Sequence, residues 1–102
     1  MVDEYFQDIF QYLSTGFPPA EMITQQKKQL VVRAVDFTLI AGQLYKMGPD
    51  EILRRCVLEH EKPLILVEAH SGAAGGHYAG KATAQKILTA RLWWPTIHKD
   101  AK

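Results

Sequence analysis

Two histidines, His70 and His77, face each other across the six residues Ser71-Gly72-Ala73-Ala74-Gly75-Gly76. A neutral imidazole nitrogen is a good zinc ligand, and the spacing lets a chain reversal bring two rings to one ion. The glycines tolerate the positive φ that such a reversal needs. A structural zinc ion takes four ligands, so this pair is half a site. Taken alone, the spacing favours ordinary histidines bonded to each other or to backbone. Completion by His60, His98, Cys56 or a neighbouring molecule has no support in the pattern.

Other reactive-looking stretches reduce to structure. Gly75, Gly80 and Lys81 come close to a phosphate-binding loop, but Ala82 stands where that loop needs Ser or Thr for magnesium. A helix, not a buried strand, is expected before it, so nucleotide binding is excluded. The acids Asp3, Asp8, Asp36, Asp50 and Asp100 are scattered over different elements, with no spacing that pairs two carboxylates on one face. No Ser or Cys has a recognisable base partner. The expectation is a chain without catalytic residues of its own. Trp93 and Trp94 could stack on bases. Adjacent residues point in different directions, and Trp94 is the one expected in the core, before Pro95.

A chain of 102 residues with 47% apolar content supports one modest core, or a domain with an attached piece. A core of that size gains much from a metal or a partner. The net charge of +1 gives no global field for nucleic acid. The distribution is uneven, however: Lys81, Lys86, Arg91, Lys99 and Lys102 face only Asp100 in the last stretch. Lys81, Lys86 and Arg91 are the candidate phosphate contacts; a solvated helix surface is the ordinary alternative. A single cysteine, Cys56, rules out an internal disulfide and fits a reducing compartment. An acidic N-terminus argues against a secretory leader, and the Leu64–Val67 run is too short to span a bilayer.

The elements that position these residues follow from periodicity. Residues 3–15 read as a helix capped by Asp3, with Phe6, Ile9, Phe10 and Leu13 as its apolar stripe and Gly16 as its stop. Residues 20–35 form a second helix, with Ile23, Leu30, Ala34 and Val35 roughly on one face. Phe37–Ala41 and Leu44–Met47 predict a hairpin joined by Gly42-Gln43. Residues 52–58 add a third strand carrying a buried Cys56. Pro63 opens a short helix, Leu64–Ala69, that ends at His70. Lys81–Leu92 forms the next helix, with Ala84, Ile87, Leu88 and Leu92 on its inner side. The best boundary lies at residues 59–62, dividing the chain into 1–60 and 61–102. The class expected is α+β: helices, a small antiparallel hairpin or three-stranded sheet, then a short helical module.

The series Arg55-Cys56-Val57, His70, Gly75-Gly76-His77, Gly80, Thr83, Lys86-Ile87-Leu88, Trp94-Pro95-Thr96 and Lys99-Asp100-Ala101 resembles the integrase zinc-binding region of Ty3/gypsy-type retrotransposon polyproteins. Upstream, Asp8-Ile9, Tyr12-Leu13, Gly16, Pro19, Gln26-Lys27-Lys28 and Leu44-Tyr45-Lys46 resemble the connector that precedes integrase in plant elements of this kind. The resemblance implies 1–60 as connector and 61–102 as an integrase N-terminal-type helical module. It implies His70 and His77 as zinc ligands, with Gly76, Trp94 and Pro95 as structural positions. The family completes its site with a Cys-x-x-Cys pair, and no cysteine follows Cys56 here. In the family the pair lies shortly after the Trp-Pro and Lys-Asp-Ala positions, hence past Lys102. Zinc is therefore expected in the full module and not in this stretch alone.

By the same resemblance the module supports integrase assembly and binding of element DNA ends. Homo-oligomers are possible, and no membrane or nucleotide partner is implied. The setting implied is intracellular, in the nucleus or a cytoplasmic virus-like particle. Strand transfer, reverse transcriptase and ribonuclease H activities lie elsewhere in such polyproteins. The alternative is an element-derived domain that associates with proteins or with itself, free of metal.

Overall fold

The computed structural model describes residues 4–71 and 79–102. His77, Gly76, the remaining loop glycines before Gly80 and the Asp3 cap lie outside the described residues. The fold is α+β, with α1 (Glu4–Thr15), α2 (Thr24–Ala34), β1 (Phe37–Ile40), β2 (Gln43–Met47), β3 (Leu53–Cys56), α3 (Lys62–Ser71), α4 (Ala79–Thr89), β4 (Leu92–Trp93) and α5 (Ile97–Asp100). A 3-10 turn, Glu59–Glu61, leads into α3. The chain divides into two compact units, Met1–Leu53 and Arg54–Lys102. The expected boundary at residues 59–62 thus falls inside the second unit. The reason is β3, whose ladder partner is β4, far downstream.

In the first unit, α1 buries Phe6 and Ile9. Phe10 was expected on the same stripe but is 41% exposed, because it lies at the stripe's edge, about 100° around the helix from Ile9. Gly16 adopts φ +83° and donates its N–H to the Tyr12 carbonyl at 2.8 Å, so the helix stops where glycine permits a left-handed turn. The second helix is shorter than expected. Pro19 and Met22 close a turn first, and Gln26 Oε1 then accepts the Ile23 N–H at 3.0 Å to start the helix at Thr24. Ile23 and Val35 therefore fall outside α2 and are exposed; its buried face is Leu30 and Ala34, one turn apart.

Strands β1 and β2 pair antiparallel with Ile40 opposite Gln43. The loop is Ala41-Gly42, both left-handed at φ +50° and +79°, one residue earlier than the expected Gly42-Gln43. Two successive positive φ values match the twist of a two-residue hairpin. Phe6 meets Phe37 edge-on with centroids 6.3 Å apart, tying α1 to the hairpin.

In the second unit β3 and β4 are parallel, with Arg55 opposite Leu92 and Cys56 opposite Trp93. The sequence did not announce this pairing, since parallel strands need a long crossover and here 3-10 turn, α3 and α4 supply it. The core is Val57, Ala69, Ile87, Trp94 and Ile97, with Ile65, Leu66, Leu88 and Leu92 packed around it. Leu92 was expected on the inner side of α4. The helix instead ends at Thr89, Arg91 turns left-handed at φ +64°, and Leu92 enters β4. Cys56 is buried as expected.

Gly80 marks a close approach. A Cβ there would lie 3.0 Å from the Lys102 Cα and 3.2 Å from the Ala101 carbonyl oxygen. Gly80→Ala should destabilise the chain by about 1 kcal/mol, overpacking outweighing the gain in helix propensity. A urea midpoint unchanged or raised in that variant would show that the residues after α5 move aside freely.

Candidate functional site

His70 lies in the last turn of α3, and Thr83 lies one turn into α4. Helix packing brings the His70 Nδ1 to 3.1 Å from the Thr83 Oγ1. His70 itself is exposed, whereas Thr83 is fully buried. A buried hydroxyl thus holds one nitrogen of an accessible ring. If the ring proton is on Nδ1, that nitrogen donates to Oγ1 and Nε2 carries the lone pair a metal needs.

Among the described residues no group of three or more His, Cys, Asp or Glu side chains could hold a metal ion. The zinc donor set implied by the resemblance is therefore represented here by one placed imidazole. Cys56, the one thiol of the chain, is buried in β3. What the residues present can do is orient one ligand.

Elsewhere in the second unit two carboxylates are held by hydrogen bonds. Trp94, fully buried, donates its indole N–H to Asp100 Oδ2 at 2.8 Å, and the Thr96 hydroxyl donates to the same oxygen at 2.7 Å. These bonds, the Thr96 one foremost, keep the Asp100 carboxyl below its ordinary value. Lys62 adds a cation over the indole, 5.7 Å from the ring centroid, and pairs with Glu59 at 2.7 Å. Glu61 Oε1 accepts both an Arg55 guanidinium N–H and the Leu58 backbone N–H at 3.0 Å. The Arg55 bond leads in pulling the Glu61 pKa down.

Both carboxylates are easier to ionise folded than unfolded. Their contribution is complete above the ordinary carboxylate values of 4.5 for Glu and 3.8 for Asp, and it is lost as pH falls through the lowered folded values. Chemical denaturation across the acid range should show stability declining below about pH 4.5. Asp100→Asn should flatten part of that decline; an unchanged acid profile in the variant would remove Asp100 from the account.

The expected phosphate contacts, Lys81, Lys86 and Arg91, are all exposed. Only Lys81 and Lys86 are on α4, because the helix ends before Arg91. They do not form one helical face. Trp94 is core, Trp93 is half-buried and Pro95 is exposed. Sequence reading missed the bond from Arg54, which is nearly buried and donates its Nε–H to the Leu88 carbonyl at 2.9 Å near the end of α4. It also gave Asp100 no role. A carboxylate a turn past Trp-Pro-Thr is the cue that could have found it. No helix among the described residues is long and apolar enough to cross a membrane. Comparison with family models, curated proteins and solved structures returns no match for the chain.

Proposed function

We propose that the chain carries the histidine half of an integrase-type His-His-Cys-Cys zinc site, within a non-catalytic module that supports integrase assembly and binding of element DNA ends. The observation that carries this reading is the His70 ring, anchored at Nδ1 by a buried Thr83 hydroxyl and exposed to receive a ligand. Metal-binding histidines are commonly oriented in this way by a partner on the second nitrogen. Thr83 is also one of the positions that carry the resemblance. His77 would be the second imidazole ligand, and a thiolate pair past Lys102 would close the tetrahedron.

Zinc held there would supply folding energy and cross-linking. The residues of this chain would present His70, pack Trp94 in the core of the second unit and display Lys81, Lys86 and Arg91 to phosphates. The nucleus or a cytoplasmic virus-like particle is the setting that matches.

The test is a zinc titration of the polypeptide carried past Lys102 in its own reading frame. A 1:1 endpoint that disappears in His70→Ala and in His77→Ala is the expected result. A downstream frame without a cysteine pair, or a paired-cysteine chain that binds no zinc, overturns the reading.

A further inference from the structure

Helices α3 and α4 leave a groove of about 280 Å³ between them, lined by Ile65, Glu68, Ala69, Lys86, Ile87, Ala90 and Leu92. The lining is mainly apolar, with Glu68 contributed by one helix and Lys86 by the other. Neither charged group forms an ion pair among the described residues, and both are exposed. Beside the groove, α3 also exposes Leu64 and Val67, which are 66% and 65% accessible. Leu64 lies one helical turn before Glu68, so the apolar patch runs directly up to the groove's acidic rim. In this unit the other acids are engaged: Glu59 with Lys62, Glu61 with Arg55, and Asp100 with Trp94 and Thr96.

We propose that this surface binds a second copy of the chain about a two-fold axis, with Glu68 of each copy opposite Lys86 of the other and Leu64 and Val67 covered between them. A surface offering one acid and one base flanking an apolar strip is complementary to itself under a two-fold rotation, which is the commonest symmetry of homodimers. A partner of uniform charge would satisfy one rim and repel the other. The four residues named, Leu64, Val67, Glu68 and Lys86, lie on α3 and α4, and none is a proposed metal ligand. It deepens the metal-free self-association alternative by naming its surface, and it stands or falls independently of zinc.

The experiment is sedimentation equilibrium by ultracentrifugation of the full chain with chelator present. The wild-type chain should dimerise with increasing concentration. Glu68→Lys and Lys86→Glu alone each turn both symmetric pairs into repulsions and should raise the dimer Kd by roughly tenfold. The two single variants mixed together should associate again, because each interface pair becomes complementary; the double variant should do likewise. Leu64→Ser with Val67→Ser, both at exposed positions, should abolish association without shifting the monomer's far-ultraviolet spectrum. A chain that stays monomeric up to millimolar concentration overturns the proposal. So does a dimer whose Kd ignores the single variants, or one that mixing fails to restore.

Discussion

Trp94→Ala should cost about 3–5 kcal/mol, the range for emptying a large aromatic from a packed core. Trp94 is fully buried, and Val57, Ala69, Ile87 and Ile97 pack in the same cluster. Its loss removes the cluster's largest side chain and leaves a cavity bounded by three helices and a strand end. Two further contacts go with it: the indole bond to Asp100 and the cation of Lys62 over the ring. Trp94→Phe separates these contributions. It refills most of the cavity yet leaves Asp100 with Thr96 as its side-chain partner, and should cost about half as much or less. Urea denaturation followed by circular dichroism gives the magnitudes, and amide exchange should show the loss concentrated in residues 54–102. A Trp94→Ala chain within 1 kcal/mol of wild type, on the order of an exposed substitution, would mean that the cluster does not hold the second unit together.

Local signals were legible where the chain decides locally. Gly16 stops α1 and the positive φ of Gly42 closes the hairpin, because no other common residue takes that conformation as readily. The apolar period placed Leu30 and Ala34, and Ala84 and Ile87, inside, and the position before Pro95 singled out Trp94 over Trp93 for the core. Boundaries shifted by a few residues where a side chain or a backbone twist intervened, as Gln26 does at the start of α2 and Arg91 does after α4. What periodicity could not reveal was pairing at long range. Nothing in Leu53–Cys56 names Leu92–Trp93 as its parallel partner, since the connection spans two helices and the pairing is set by their packing. The same holds for the site. The two histidines are visible as residue types, but the Thr83 hydroxyl that aims His70 becomes visible only when α3 lies against α4.

That hydroxyl can be tested directly. Thr83→Val keeps the side-chain shape and removes the oxygen that stands 3.1 Å from the His70 Nδ1. In the metal-free chain of 102 residues, nitrogen chemical shifts of the His70 ring should report Nδ1 as the protonated position in wild type, and that preference should vanish in the variant. On the proposed reading, in which a polypeptide carried past Lys102 binds zinc through His70, the variant should lose about 10- to 100-fold in zinc affinity, the usual effect of removing a partner that orients a metal-bound histidine. Thr83→Ser restores the oxygen at the expense of a buried methyl. It should recover the ring's proton position and most of the affinity while being less stable than Thr83→Val or equal to it. Affinity that tracks stability across the two variants, and not the presence of the hydroxyl, would make Thr83 a packing residue and leave His70 without its positioning partner.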